Sequence, residues 1–474
     1  MRIGLTRRPG TIQRATSLHH FMEMVRDACQ PWPHMFAPGD ALERSDALGD
    51  RLRCAESLVL QCDVVLAPIT GPIELAAARC ACGTKTRIVY FPLGDTAGDP
   101  RAFLYCVECL RPGDVIAVTC RSDLDILGAL ASHVPREVQH VPLGVDLDYW
   151  TPDACEQPEA RRLFQIAPKA PLVAFAGRII PSKNVHLALA VFRHVLARYP
   201  SAVLIMCGDI PKVSVPLGDG ASVSYAHYLV RLCDCMGISE QVRWTGQVDR
   251  NTLRSVLRTA DVALSLSTHG DENFGLAAVE SMAVGLPVVG TRWGGQKDTL
   301  DGLPYAVETY VTDRGAVIPC WPAAAQHVLR SLETRNHEGL RGRVWRERAG
   351  RYSRTAFIRQ LRSALCRRDH ESDAKPEYLS VTGDGARTLL DLAWGRRAAQ
   401  RAYASSSAVA AAHRLETCEA IAGLPELNRP SGVPRASQRW TPWWQVHTRT
   451  AVMSSPDDRK KTIRDVMAGV ATCG

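Results

Sequence analysis

The sequence predicts an α/β protein of two doubly wound parallel-sheet domains, followed by a mainly helical C-terminal extension. Short apolar runs alternate with amphipathic stretches, the rhythm of a parallel sheet with helices on both faces. That rhythm breaks in a proline-bearing stretch after residue 145 and restarts at Leu172. The chain of 474 residues is also too long for one ordinary core,.

In the first block the strand candidates are 3–6, 64–67, 87–91, 115–119 and 138–141. Helix candidates at 16–29, 73–82, 101–109 and 122–133 lie between them. Pro142-Leu143-Gly144 closes the last strand. The segment 146–171, with Pro152, Pro158, Pro168 and Pro171, reads as a linker with one short helix,. The second block offers strands at 172–176, 203–207, 242–244, 262–265, 287–290 and 316–318. Its helices fall at 185–198, 225–236, 251–258, 276–284, 322–333 and 341–348, with a last one at 355–365. The expected domains are therefore 1–150, 165–366 and an extension, 367–474. The extension opens on charged residues, passes through an Ala/Arg-rich helical run and ends near Trp440, Trp443 and Trp444.

Composition narrows the function classes. The formal net charge is +8, which suits a phosphate-bearing ligand or an anionic membrane surface,. No Lys/Arg block is long enough to read as a nucleic-acid tail, so no nucleic-acid partner is expected,. No segment approaches the ~18 unbroken apolar residues of a spanning helix, and the N-terminus lacks a signal-peptide core,. A cytoplasmic protein is expected. The 16 cysteines are spread through the elements and read as reduced,. Cys80, Cys82, Cys106 and Cys109 could offer four thiolates to zinc. Their apolar neighbours favour small buried hydrophobes instead, and no metal is assigned,.

Three segments carry chemistry. The strongest is 269–280, running from His269 through Glu272, Asn273, Phe274, Gly275 and Leu276 to Glu280. It leaves a strand candidate and opens a helix candidate, so unpaired N–H groups and the positive dipole end point outward. Gly275 allows close approach of the backbone to a ligand, and a diphosphate suits such a helix start. Glu272 before the helix and Glu280 about one turn in could accept hydrogen bonds from sugar-type hydroxyls. The plain alternative is a capped surface helix, with Asp271 or Asn273 as the cap. The second segment is 175–184, in which Gly177, Arg178 and Lys183 occupy the turn after the domain's first strand. Open parallel sheets bind ligands at that end, where two cations can neutralise a diphosphate and stabilise charge on a leaving oxygen. The third is the Gly294-Gly295 turn, where backbone can press on a ligand. There is no glycine-rich dinucleotide fingerprint after the first strand and no P-loop,.

On these residues the sequence resembles glycosyltransferase family 4, between residues 138 and 365. Glu272 and Glu280 meet its E-x7-E pattern, and Gly177, Arg178 and Lys183 its glycine–arginine–lysine turn. Pro142-Leu143-Gly144-Val145-Asp146, with Trp150 and Pro152 following, is similar to its hinge. Gly285-Leu286-Pro287-Val288 matches a further run. The resemblance implies a GT-B fold: two Rossmann-like domains facing a cleft, the acceptor on the first and a nucleotide-diphosphate sugar, of UDP or GDP type, on the second. Arg178 and Lys183 would hold the diphosphate without a metal, and backbone at 273–276 would contact phosphate and sugar. Glu272 would bind donor-sugar hydroxyls, Glu280 the ribose, and Trp244 would help shape the base pocket. The last helix would cross back to the first domain. A hexose-type sugar would be transferred with retention, by front-side attack that needs no carboxylate nucleophile.

The acceptor half departs from the pattern. Pro92-Leu93-Gly94-Asp95 stands where the family carries a histidine, and the glycine-rich loop after the first strand is reduced to Pro9-Gly10. A non-catalytic nucleotide-sugar-binding scaffold is therefore the competing reading, followed by an epimerase or phosphorylase of the same fold. Arg7, Arg8 and Arg14, or the three tryptophans, could touch a membrane carrying a lipid acceptor; the plainer reading, which is favoured, is a solvated charged face and buried or partner-facing tryptophans.

Overall fold

The computed structural model describes residues 1–6, 17–37, 48–69, 71–93, 106–107, 109–124, 137–152, 161–208, 218–269, 272–311, 317–334 and 338–366. Two compact units emerge: Met1–Gly144 together with the helix Arg354–Cys366, and Val145–Arg351.

The first unit holds β1 (Ile3–Leu5), α1 (Ser17–Cys29), β2 (His34–Phe36), α2 (Leu48–Gln61), β3 (Val64–Pro68), α3 (Pro72–Cys82), β4 (Arg87–Phe91), β5 (Val115–Val118) and β6 (Glu137–His140). Its sheet runs β2-β1-β3-β4-β5-β6, with every pair parallel. β3 and β4 are buried at every residue, as strands covered on both faces must be,. The one cation in β4, Arg87, is buried and donates to the Ala364 carbonyl at 3.3 Å and to that of Leu365. It thereby satisfies carbonyls that the C-terminal end of the helix Arg354–Cys366 leaves unpaired.

The second unit contributes β7 (Leu172–Ala176), α4 (Val185–Arg198), β8 (Val203–Cys207), α5 (Gly218–Met236), β9 (Val242–Gly246), α6 (Arg250–Thr259) and β10 (Val262–Ser265). It continues through α7 (Leu276–Ala283), β11 (Val288–Thr291), α8 (Gly295–Thr299), β12 (Ala306–Val307), β13 (Thr309–Val311), β14 (Val317–Pro319), α9 (Trp321–Glu333) and α10 (Glu338–Gly350). The parallel sheet runs β12-β11-β10-β7-β8-β9. Strand order reverses between β7 and β10, which pair through Val173↔Val262 and Ala174↔Ala263. Such a reversal opens a crevice outside the carboxyl ends of the two strands, the place where open α/β sheets take ligands. The core beneath it is built from Val173, Phe175, Leu204, Met206, Val262 and Leu264 with apolar faces of α4, α5 and α9.

Three sequence expectations change. The strand expected at 316–318 pairs antiparallel with β13 in a separate two-stranded sheet, and β12 takes the edge of the parallel one. Residues 145–150 group with the second unit, because Arg346 donates to the carbonyls of Trp150 (3.0 Å), Leu147 (3.3 Å) and Ala283 (2.5 Å). The helix Arg354–Cys366, now α11, groups with the first unit, as expected of a last helix that crosses back, so the second domain stops short of the expected residue 366. Its Phe357 packs on Phe21 and Phe91, and Arg362 donates to the carbonyls of Ala28 and Asp27 on α1. Most of the helices expected at 101–109 and 122–133, Pro9-Gly10, Arg7, Arg8, Arg14, Gly94-Asp95 and the whole extension 367–474 lie outside the described residues. No helix among the described residues is long and apolar enough to cross a membrane.

Candidate functional site

The carboxyl end of β7 turns sharply. Gly177 has φ +151° and donates its N–H to the Cys207 carbonyl at 2.9 Å. A Cβ on Gly208 would fall 1.8 Å from the Gly177 carbonyl oxygen, so the ends of β7 and β8 touch through glycine alone. Arg178 follows, and a single 3-10 turn, Pro181–Lys183, delivers Lys183. Asn184 then sits in the left-handed region at φ 52°, which asparagine tolerates better than most side chains,. Its Nδ2 donates to the Leu266 carbonyl at 2.7 Å and to Thr268 Oγ1 at 2.8 Å. Thr268 N–H returns a bond to the Ser182 carbonyl at 2.9 Å. The turns after β7 and β10 are thus stitched together across the reversal point.

Beyond β10 the backbone brings in Glu272, whose N–H donates to the His269 carbonyl at 3.0 Å. Its buried carboxylate pairs with Lys183 Nζ. Burial alone would raise this carboxyl. The Lys183 charge and hydrogen bond, the Ser267 hydroxyl and the Arg178 charge outweigh burial and hold it below the usual carboxylate range,. Gly275, at φ 80°, is the N-cap of α7 and supplies no side-chain cap. The N–H groups of Leu276 and Ala277, at the start of α7, therefore have no carbonyl one turn back to bond, whereas the Ala278 N–H donates to the Gly275 carbonyl at 2.9 Å,.

Gly294 and Gly295 press on protein backbone. A Cβ on Gly294 would sit 2.0 Å from the Glu272 carbonyl oxygen, and one on Gly295 2.2 Å from Phe274 N. The Gly295 N–H donates to the Glu272 carbonyl at 2.5 Å, and Trp293 Nε1 donates to the His269 carbonyl at 2.8 Å. The Gly-Gly turn is the clamp that shapes the 272–275 loop. Gln296 completes it, donating from Nε2 to Ser265 Oγ at 2.8 Å.

Glu280 lies on α7, buried, and burial pushes its carboxyl up to about 8 despite the nearby Arg250 charge. Arg250 stacks over the Tyr149 ring at 4.4 Å, Arg254 over the same ring at 4.5 Å, and the Tyr149 hydroxyl donates to Asn251 Oδ1 at 2.9 Å. Trp244 stands on the edge strand β9, three places from β10 in the sheet, and is 39% exposed. The structure thus brings together Gly177, Arg178, Lys183, Glu272, Asn273, Phe274, Gly275 and Leu276 around the ends of β7 and β10. Glu280 lies along the same helix, and Trp244 is set apart from that group.

Sequence reasoning passed over Asn184, Ser267, Arg250 and Gln296 as functional residues. Only Asn184 carried a signal, since an asparagine directly after a strand-end lysine suits a left-handed turn. Among the described residues no group of three His, Cys, Asp or Glu side chains could hold a metal. Cys106 and Cys109 are buried, whereas Cys80 is exposed.

Residues 156–303, which contain this strand-end constellation, match the family model of glycosyl transferases group 1. This segment is a glycosyl transferases group 1 domain. A D-inositol 3-phosphate glycosyltransferase from Mycobacterium sp. (strain JLS) is 32% identical over 225 residues, covering 48% of this chain and 46% of that relative. The chain spans about half the length of the curated relatives it matches. Among solved structures, sucrose-phosphate synthase from Thermosynechococcus elongatus has a TM-score of 0.59 at 18% identity, covering 76% of this chain and 97% of its own. The Anabaena protein HepE, solved with UDP and glucose, has a TM-score of 0.57 at 14% identity, covering 77% and 99%. These likenesses show the fold: two doubly wound units of the GT-B type, the second of which contains the group 1 match.

Proposed function

We propose that this chain is a retaining, metal-independent glycosyltransferase of the family 4 type, moving a hexose from a nucleotide-diphosphate sugar. The observation that carries the reading is the Lys183–Glu272 pair, with Arg178 beside it, at the strand reversal of the group 1 domain. Arg178 and Lys183 neutralise the diphosphate and stabilise the negative charge that grows on the leaving phosphate oxygen. The first-turn N–H groups of α7 add donors to the same oxygens. Glu272 accepts from hydroxyls of the donor sugar, and Glu280 from the ribose. Trp244 borders the base, which is of UDP or GDP type; HepE, of the same fold, was solved with UDP and glucose. Gly177, Asn273, Phe274, Gly275 and Leu276 form the backbone wall around the diphosphate and sugar. The leaving phosphate oxygen takes the acceptor proton as the acceptor hydroxyl attacks from the same face.

The first unit is the acceptor side in this reading, and the protein works in the cytoplasm, with contact to a membrane face if the acceptor is lipid-linked. Inositol phosphate heads the acceptor panel because the relatives' name carries it.

The test is a thermal-shift screen against UDP, GDP, ADP and dTDP and their sugar conjugates, with and without EDTA. One nucleoside diphosphate should raise the melting temperature by several degrees, since ligand at about 100 times its Kd adds roughly 2.7 kcal/mol. The shift should survive EDTA and vanish in Lys183→Ala. A protein indifferent to every nucleotide would refute the donor site. Binding without sugar release to any acceptor would favour the scaffold reading.

A further inference from the structure

We propose that the Lys183–Glu272 ion pair makes the site select a sugar-bearing nucleotide over the free nucleoside diphosphate, because Glu272 competes with phosphate for Lys183. The inference rests on the donor-site reading above and adds a direction to it: Glu272 weakens binding of the bare diphosphate.

The geometry supports a competition. Lys183 donates to Glu272 Oε2, and the two side chains are only 21% and 7% exposed, so water screens their interaction weakly,. The Glu272 carboxylate is held by Lys183 and by the Ser267 hydroxyl, and the backbone that carries it is fixed as well. The Glu272 carbonyl accepts the Gly295 N–H at 2.5 Å, the Glu272 N–H bonds the His269 carbonyl at 3.0 Å, and Gly294 leaves no room above that carbonyl. The turn that carries Lys183 is anchored in the same way, for Asn184 behind it is tied to Leu266 and Thr268. A phosphate that approaches Lys183 therefore meets a fixed negative charge.

The two ligands differ in what they offer that charge. In a nucleotide sugar the terminal phosphate is esterified, and the sugar brings neutral hydroxyls that donate to the carboxylate. A free nucleoside diphosphate brings no hydroxyls there and, above about pH 6, a second ionisation on its terminal phosphate. The ester thus exchanges one partner of Glu272 for another, while the product leaves Glu272 facing an anion. Product is expelled by the residue that held the sugar, which favours turnover where release limits the rate.

Calorimetry on the full chain tests this with UDP, GDP and their glucose and mannose conjugates. The wild type should bind the conjugate more tightly than the matching diphosphate. Glu272→Gln keeps the side-chain shape and removes the charge. It should bind the bare diphosphate roughly tenfold more tightly and lose the preference for the conjugate. Equal or weaker diphosphate binding in Glu272→Gln, with wild-type binding intact, would overturn the competition and leave the donor site standing. So would a wild type that binds the diphosphate more tightly than its conjugate, a result that does not depend on the variant folding. A folded wild type that binds neither would overturn the donor-site reading and this inference together.

Discussion

Two glutamates eight positions apart in one loop–helix segment are driven in opposite directions by their surroundings. Glu272 has Lys183, Ser267 and Arg178 against it, and they outweigh burial to hold its carboxyl below its ordinary value. Glu280 has burial, countered only in part by Arg250, and is pushed up to about 8, so at neutral pH its carboxyl is largely neutral and can donate as well as accept,. A carboxyl whose folded-state pKa lies above its unfolded value contributes stability that is fully present below the unfolded value. That contribution is lost as pH rises towards the folded value. For Glu280 the window runs from about 4.5 to about 8. Glu280→Gln, which cannot ionise, should therefore match the wild type near pH 5. By pH 8.5 it should be the more stable protein, on the order of a few kcal/mol. Paired urea titrations at the two pH values check this. A stability difference between the two proteins that does not change with pH would show that Glu280 is not buried in the way described.

At the scale of elements, the loop that carries Glu272 takes its shape from the turn after β11. Gly294 has φ 52° and faces the Glu272 carbonyl, so Gly294→Ala must shift one loop or the other. The expected cost is about 1–3 kcal/mol, with nucleoside-diphosphate binding weakened alongside. Gly237, at φ 66° with open space around it, is the control: Gly237→Ala carries only left-handed strain and should leave binding unchanged,. Equal behaviour of the two variants in denaturation and calorimetry would remove the clamp from the account. The clamp was not legible in the sequence, where Gly294-Gly295 signals a tight turn but not what it presses on. The strands β3, β4, β7 and β8 were legible because continuous apolar runs between turn signals suit fully covered parallel strands. His34–Phe36 was missed, being three half-buried residues without a run. Leu48–Gln61 was missed as well, with charged residues interrupting its apolar stripe. Val317–Pro319 read correctly as a strand, but β-branched residues do not say which sheet a strand joins, and Tyr310↔Ile318 pairing drew it into a hairpin. Gly177, Arg178, Lys183, Glu272 and Glu280 could be picked out because each lies in a strand-to-helix turn or the helix after it. The stitch by Asn184 and the charge environment of Glu280 depend on contacts far apart in sequence.

At the scale of the chain, the path matters more than the boundary. The polypeptide leaves the first unit at Gly144, builds the second, and returns one helix, Arg354–Cys366, to the first. The return is anchored three ways. Phe357 is buried beside Phe21 and Phe91, with ring centroids 5.8 and 6.5 Å away. Arg362 donates to the Ala28 carbonyl at 3.0 Å, near the C-terminal end of α1. Buried Arg87 reaches back to the Ala364 carbonyl at 3.3 Å. Gly144 fits this docking closely, since a Cβ there would come within 2.9 Å of Arg354 Cα. The first unit is therefore incomplete without residues that follow the whole of the second. A chain ending at Arg351 should expose Phe21 and Phe91 and leave Arg87 buried without its carbonyls. One ending at Cys366 should keep both satisfied. The longer chain should keep its first unit protected. Phe357→Ala in the full chain should cost about 3–5 kcal/mol, the scale of deleting one buried phenylalanine, and the shorter chain, which also loses buried Leu361, Ala364 and Leu365, should lose more than that from its first unit,. Limited proteolysis separates the cases, because cleavage in the shorter chain should concentrate in residues 1–144 while the second unit stays protected. Equal protease resistance of the two truncated chains would mean that the first unit folds without its returning helix, and α11 would then be a passive appendage to it.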